Sequence, residues 1–322
     1  MSVAMLVEQY FPPELQEKLL CAANRLDSVQ EIRCRVNRPL FLRYAQGQEL
    51  QAAEIVTPSH MQYMVSRISQ GSAYAWEEEF RRGYLTLPGG FRVGLVGKTV
   101  LEHGQIRTLT HISGLNFRIA RAVSGVADAL MPFLYHGNAI ANCLLISPPG
   151  GGKTTMLRDL VRQLSDGVVS LRQSGCTVAV VDERSEIAGC IQGIPQMDVG
   201  CRTDVLDGCP KSEGVRMLIR SMAPQVIAVD EIGTMADVQA LKEAAESGVA
   251  VLATAHGDTM ACLYKHPVLH TLITEQYFAW IVFLHWQTGQ VVHDVYGKVG
   301  GGGYEICRNH FVNGSGQCTR VL

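Results

Sequence analysis

The sequence predicts an α/β protein, with a mostly parallel sheet over residues 131–322 and a smaller α+β domain over residues 1–130. Two features carry the parallel sheet. Residues 143–146, 176–181 and 225–229 are short, unbroken apolar runs, the pattern of strands buried on both faces. Amphipathic stretches of helical spacing alternate with them, as strand–helix units require. A third feature sets the first 130 residues apart. There, apolar and polar residues alternate in paired short runs around turn residues, which is hairpin patterning.

Taken in order, residues 7–27 read as helical, with Pro12-Pro13 at a helix start and Leu15, Leu19, Leu20 and Ala23 on the apolar face. Residues 30–44 read as a hairpin turning at Asn37-Arg38-Pro39. Residues 57–72 suggest a helix with Met61, Met64, Val65 and Ile68 on one face. Residues 83–98 form strand, Gly-Gly turn and strand, with Phe91, Val93 and Leu95 on one face and Arg92 on the other. Residues 106–122 carry strand signals and the basic run that includes Arg118 and Arg121. Those arginines fit a solvated sheet face as well as a functional one.

Residues 125–135 read as a linking helix, and residues 153–164 as a helix with Met156, Leu157, Leu160, Val161 and Leu164 inward. Residues 189–214 read as a long loop rich in Gly and Pro, which in a compact domain signals function or mobility. Helices are expected over 215–222 and 236–246 and a strand over 249–253. Residues 278–296 suggest a hairpin, and Gly300 to Gly303 a flexible turn.

The chemistry concentrates at the end of the first apolar run. Ser147-Pro148-Pro149-Gly150-Gly151-Gly152-Lys153-Thr154-Thr155 joins a strand to a helix. Glycines let backbone N–H groups converge on phosphate oxygens, and the helix N-terminus adds positive potential. In a phosphate-binding loop of this form Lys153 reaches the β- and γ-phosphates, and the Thr154 hydroxyl ligates Mg²⁺. The usual first glycine is replaced by Ser147. ATP and Mg²⁺ are therefore the expected ligands, held by residues 147–155 together with the metal-side acid Asp230.

Further strands end in polar residues: Asp182-Glu183, Asp230-Glu231 and Thr254-Ala255-His256. Ligands bind outside the carboxyl ends of parallel strands, so these converge on one edge. Asp230 is the acid expected near Mg²⁺. Glu231 or Glu183 would polarise the attacking water, and spacing alone does not choose between them. His256 would sense the γ-phosphate or touch a neighbouring subunit.

Composition narrows the classes. A net charge of −2 over 322 residues gives no global attraction to nucleic acid or anionic membrane. No window of 18 consecutive apolar residues exists, and residues 1–14 lack a signal-peptide pattern, so a cytoplasmic setting is expected. The ten cysteines are scattered without a C-x-x-C pair, which argues for reduced thiols.

Residues 147–155, 181–187 and 218–231 together resemble the ATPase domain of the secretion-type superfamily, the motors of type II and type IV secretion and of pilus extension. The match covers its Walker A loop, its acidic box at Asp182-Glu183 and Glu186, its Walker B strand and its His box at 254–256. Residues 31–43 and 91–96 also look like strands of that family's N-terminal domain. Residues 181–189, 202–211 and 221–233 are similar to a sporulation branch of the superfamily from endospore-forming bacteria. The resemblance implies a RecA-like P-loop NTPase fold and an oligomeric motor ATPase, a hexameric ring. It also implies association with membrane proteins of a secretion-like sporulation channel, on the cytoplasmic mother-cell side. It places the catalytic acid in the acidic box, which inclines the choice to Glu183, and brings arginines from the N-terminal domain, here Arg118 and Arg121. Two rival readings share the core fold: a nucleic-acid-stimulated ATPase, and a nucleotide-gated scaffold with little turnover.

Overall fold

The computed structural model describes residues 2–21, 28–44, 48–69, 80–81, 83–119, 123–137, 139–287, 290–299 and 303–311. The chain divides into two compact units, Met1–Arg121 and Ala122–Leu322. Residues 123–130 belong to the second unit because Ala127 and Leu130 are buried in its core with Leu157 and Leu160.

Among the described residues, the first unit is a six-stranded antiparallel sheet with helices packed on it. In chain order its elements are α1 (Val3–Tyr10), α2 (Pro13–Cys21), β1 (Val29–Arg35), β2 (Pro39–Tyr44), β3 (Glu49–Ile55), α3 (Pro58–Ile68), β4 (Tyr84–Leu87), β5 (Phe91–Glu102) and β6 (Gln105–Arg118). The strand order is β3-β2-β1-β6-β5-β4. Alternation buries Ile32, Cys34, Leu40, Leu42, Val93, Leu95, Leu115 and Phe117 against Leu6, Phe11, Leu15, Leu19, Met61 and Met64 of the helices. The rings of Phe11 and Phe117 lie 4.7 Å apart. Thr57 caps α3 through the His60 N–H at 3.1 Å, and the His60 ring returns the bond to the Thr57 N–H. The Gly-Gly turn predicted before β5 is present, with both glycines in the left-handed region. Arg92 stacks on the Tyr84 ring at 3.6 Å. The expected helix over 7–27 is two helices broken at Phe11-Pro12. Residues 22–27, Ala23 among them, and residues 70–72 lie outside the described residues.

The second unit holds β7 (Cys143–Ser147), β8 (Val178–Asp182), β9 (Thr203–Asp207), β10 (Val226–Val229), β11 (Ala250–His256), β12 (Trp280–Gln287), β13 (Gln290–Val299) and β14 (Gly303–Phe311). They form one sheet in the order β9-β8-β10-β11-β7-β12-β13-β14. Pairing is parallel from β9 to β12 and antiparallel over the last two steps. Every residue of β7, β8 and β10 is buried, which explains why they are apolar up to Ser147 and Asp182, the polar residues that end β7 and β8. Helix α5 (Lys153–Asp166) covers one face of the sheet, packing on Leu145, Val180, Ala228 and Leu252. Helices α6 (Lys211–Met222) and α7 (Met235–Glu246) cover the other, on Leu144, Ile146, Ile227 and Val229.

Three expectations are corrected. Residues 125–135 are not a linking helix: turns run to 130, and the four-residue helix α4 (Met131–Leu134) follows. Gly125 adopts φ +83, which a continuing helix excludes. The long loop over 189–214 contains β9, whose residues are all half-buried at the sheet edge, and the start of α6. The tail adds β14 to the sheet; residues 300–302 of the expected turn lie outside the described residues.

Gly214 reports how tightly α6 sits on β8. A Cβ there would lie 2.6 Å and 3.1 Å from the two Val181 methyls. Gly214→Ala gains about 1 kcal/mol of helix propensity but overpacks a β-branched neighbour by about 1–3 kcal/mol. The expected net result is a loss of about 1 kcal/mol, read as a lower urea midpoint at unchanged slope. A stabilised variant would mean that α6 rides loosely on the sheet.

Candidate functional site: the carboxyl edge of the parallel sheet

Strand β7 leads directly into the Gly-rich loop. Ser147, its last residue, is buried, and its Oγ donates to the Pro148 carbonyl at 2.8 Å. A Cβ at Gly151 would fall 2.3 Å from that Oγ, so a serine at 147 leaves room only for glycine at 151. Gly150 and Gly152 are required for a different reason. They adopt φ +75 and +92 with open space around them, so backbone conformation, not crowding, selects glycine. Gly152 caps α5, whose first turn carries Thr154 and Thr155 and opens its unpaired N–H groups onto the loop.

Lys153 is buried. Its ammonium donates to the Ser147 carbonyl at 2.9 Å, the Pro148 carbonyl at 3.2 Å and His256 Nδ1 at 3.0 Å. Burial draws its pKa below the ordinary lysine range, and the charges of Asp230 and Glu231 oppose that. A charged lysine only donates, so the contact with Lys153 is met by the His256 tautomer with its proton on Nε2; Nδ1 also lies 3.4 Å from the Ser147 carbonyl. Nε2 lies 3.2 Å from Glu231 Oε1, and Arg184 donates to Glu231 Oε2 at 3.2 Å. One chain of contacts thus runs from Lys153 through His256 and Glu231 to Arg184.

The two acids after β10 differ in role. Asp230 Oδ2 accepts from the Thr154 hydroxyl at 3.3 Å. Asp230 Oδ1 accepts from the Thr254 hydroxyl at 2.6 Å and from the Glu231 N–H at 3.0 Å. Glu231 adopts φ +27, a strained backbone for a residue with a side chain. A hydroxyl and a carboxylate oxygen beside a lysine and left-handed glycines are hard donors that suit a magnesium ion shared with phosphates. The residues present therefore fit both Mg²⁺ and a nucleotide polyphosphate.

Asp182, the first acid of the acidic box, is fully buried. It accepts the N–H groups of Glu186, Ile187 and Ala188 at 2.8, 3.0 and 2.8 Å. Burial raises its pKa, the three N–H donors counteract that, and Asp207 adds to it. Arg158, buried on α5, donates to the Ile187 and Glu186 carbonyls at 2.5 and 2.7 Å. The segment after β8 is therefore tied down from both sides. Glu183 projects from it to an ion pair with Lys211 at the start of α6.

Of the residues singled out from sequence, the fold brings together Ser147, Pro148, Lys153, Thr154, Asp230, Glu231 and His256. Glu183 faces Lys211. Arg118 ends β6 in the first unit, mostly exposed and 4.0 Å from Glu31. Arg121 lies outside the described residues. Sequence reasoning marked Thr254 only as part of a polar strand end, with no partner for its hydroxyl, and gave no role to Arg158, Lys211 or Arg184. The available signals were a hydroxyl inside the apolar run of β11 and a charge between inward-facing positions of α5.

The architecture and this edge define a RecA-like P-loop fold of the kind found in secretion ATPases. Solved structures that share it include the ATPase DotB of Legionella pneumophila (TM-score 0.58, 15% identity, 85% of this chain and 76% of that one), and the pilus retraction motor PilT with bound ADP (TM-score 0.56, 14% identity, 86% and 81%). The family described as "Sporulation stage III, protein AA" matches residues 8–301, and the chain belongs to it. Stage III sporulation protein AA of Bacillus subtilis (strain 168) is 46% identical over 250 residues, 78% of this chain and 80% of that protein.

Proposed function

We propose that this protein is an ATP-hydrolysing motor that works as a self-associating, hexameric ring on a membrane-associated sporulation apparatus, a secretion-like channel, from the cytoplasmic side of the mother cell. The observation that carries the enzymatic part is the convergence of Lys153, Thr154, Asp230, Glu231 and His256 on the Gly-rich loop. The sporulation part rests on family membership, and the ring and membrane channel are what the resemblance to secretion-type motors implies. No helix among the described residues is long and apolar enough to cross a bilayer, so on this reading contact with the membrane goes through partners.

In this reading the loop N–H groups and the α5 N-terminus bind the polyphosphate, and Lys153 leaves the loop carbonyls for the β- and γ-phosphate oxygens. Thr154 and Asp230 would hold Mg²⁺, which when bound neutralises charge on the phosphate oxygens. Glu231 takes the proton of the attacking water, because its carboxylate already joins the contact chain that reaches Lys153. Glu183 is the second candidate and becomes available on release from Lys211.

ATPase assays with nucleotide titrations test this. Lys153→Ala should remain folded and lose saturable ATP binding. Glu231→Gln should bind ATP and turn over about 100-fold slower, the scale of general-base loss. The same phenotype in Glu183→Gln alone would exchange the two roles. Unchanged turnover in Lys153→Ala would remove the phosphate-loop assignment.

Arginines supply the remaining cationic charge. A guanidinium delivered from outside the loop contributes about 10³–10⁵ in rate in other phosphoryl-transfer enzymes. On this reading Arg118 and Arg121 do so across a subunit boundary. Specific activity should then rise with protein concentration, and Arg118→Ala or Arg121→Ala should flatten the rise while ATP still binds. A wild-type specific activity independent of concentration would make the site complete in one subunit.

A further inference from the structure

Strand β11 runs Ala-Val-Leu-Ala-Thr-Ala-His, and Thr254 is fully buried. A buried hydroxyl in an apolar strand needs partners, since leaving it unbonded costs about 1–3 kcal/mol. Thr254 uses both its donor and its acceptor on the two acids of the neighbouring strand end. Its O–H donates to Asp230 Oδ1 at 2.6 Å, and its oxygen accepts the Glu231 N–H at 2.9 Å. The Thr254 carbonyl also accepts the Ile232 N–H at 2.8 Å. The segment 230–232 is thus bracketed by one residue of β11, where Glu231 holds its strained φ of +27.

The geometry has a directional consequence. Asp230 has two oxygens, and Thr254 engages Oδ1. That leaves Oδ2 turned to Thr154, 3.3 Å away. Without the Thr254 hydroxyl Asp230 loses its strongest hold on Oδ1, and the strained turn keeps the backbone bond from the Ile232 N–H to the Thr254 carbonyl and the neighbouring-residue bond from the Glu231 N–H to Asp230 Oδ1 at 3.0 Å.

We propose that Thr254 is a positioning residue of the nucleotide site, whose hydroxyl fixes Asp230 with Oδ2 on the metal side and holds Glu231 in its strained backbone. The inference rests on the ATPase reading for its catalytic consequence, but not for the conformational one. Thr254 touches no substrate in this scheme; it acts through the two acids. Supporting groups of this kind change metal affinity or activity by about 10- to 100-fold when removed.

Two pairs of proteins isolate the hydroxyl. Wild type and Thr254→Val have the same shape with and without it. Thr254→Ser and Thr254→Ala share the loss of the methyl and differ again only in the hydroxyl. Three measurements apply to all four: hydrogen exchange of residues 230–232 in metal-free, nucleotide-free protein, the Mg²⁺ midpoint for binding a fluorescent ATP analogue, and steady-state kinetics. The hydroxyl-free proteins should exchange the Glu231 amide about tenfold faster, the equivalent of one hydrogen bond. They should also need about 10- to 100-fold more Mg²⁺ and lose kcat more than KM, with Thr254→Ser keeping wild-type behaviour. Should Thr254→Val fail to fold, the Ser and Ala pair decides. Equal exchange and equal Mg²⁺ midpoints within each pair would overturn the proposal. A wild type that neither binds nor hydrolyses ATP would instead overturn the function proposed above, with the exchange comparison still deciding whether the hydroxyl holds the turn.

Discussion

The ammonium of Lys153 is the group around which the rest of the site is arranged. It is a cation taken largely out of water, held there by two loop carbonyls, the Ser147 hydroxyl and one imidazole nitrogen that accept from it, and by the charges of Asp230 and Glu231. Those acceptors are weaker partners than phosphate oxygens, which offer charge as well as lone pairs. The loop therefore holds its lysine in a position from which a polyphosphate can draw it. The Ser147 side chain adds to this arrangement: its hydroxyl lies 3.3 Å from the ammonium and occupies the space under Gly151.

Everything nearby follows from keeping that lysine and the facing acids in register. The parallel pairing of β11 with β7 sets His256 opposite Ser147, so the imidazole meets the ammonium at the strand ends. The pairing of β10 with β11 places Val229 beside Ala253, so Asp230 leaves its strand next to Thr254. On the other side, Asp182 and Arg158 tie the segment after β8 to the sheet and to α5. Each tie is a buried polar group with its partners satisfied, and each loses that satisfaction if one partner is removed. The strain at Glu231 is sustained by this surrounding structure.

The central architecture was legible because its signals are strong and local. Residues 143–166 contain a strand that is apolar up to Ser147, three glycines and an amphipathic helix, and all appear where the pattern puts them. The hairpin at β1 and β2 and the alternation of Phe91, Val93 and Leu95 were equally readable, since period two survives a half-exposed sheet. Strand β9 was hidden because an edge strand with polar Thr203, Asp204 and Asp207 has no apolar run to announce it. The start of α6 was hidden by Pro210 and Gly214, and Gly214 is there for contact with Val181, not for a turn. At the site, strand-end acids and His256 stood out as residue types. Thr254 and Arg158 matter through partners 23 to 29 residues away in sequence, which spacing does not reveal.

The most direct measurement is the nitrogen spectrum of the His256 ring, assigned by its loss in His256→Asn and recorded with and without ATP·Mg²⁺. In nucleotide-free protein the ring should carry its proton on Nε2, with Nδ1 accepting from Lys153. Saturation with nucleotide should shift the Nδ1 resonance as the lysine leaves. A ring protonated on Nδ1 in the free protein, or an Nδ1 resonance unmoved at saturating nucleotide, would contradict the account.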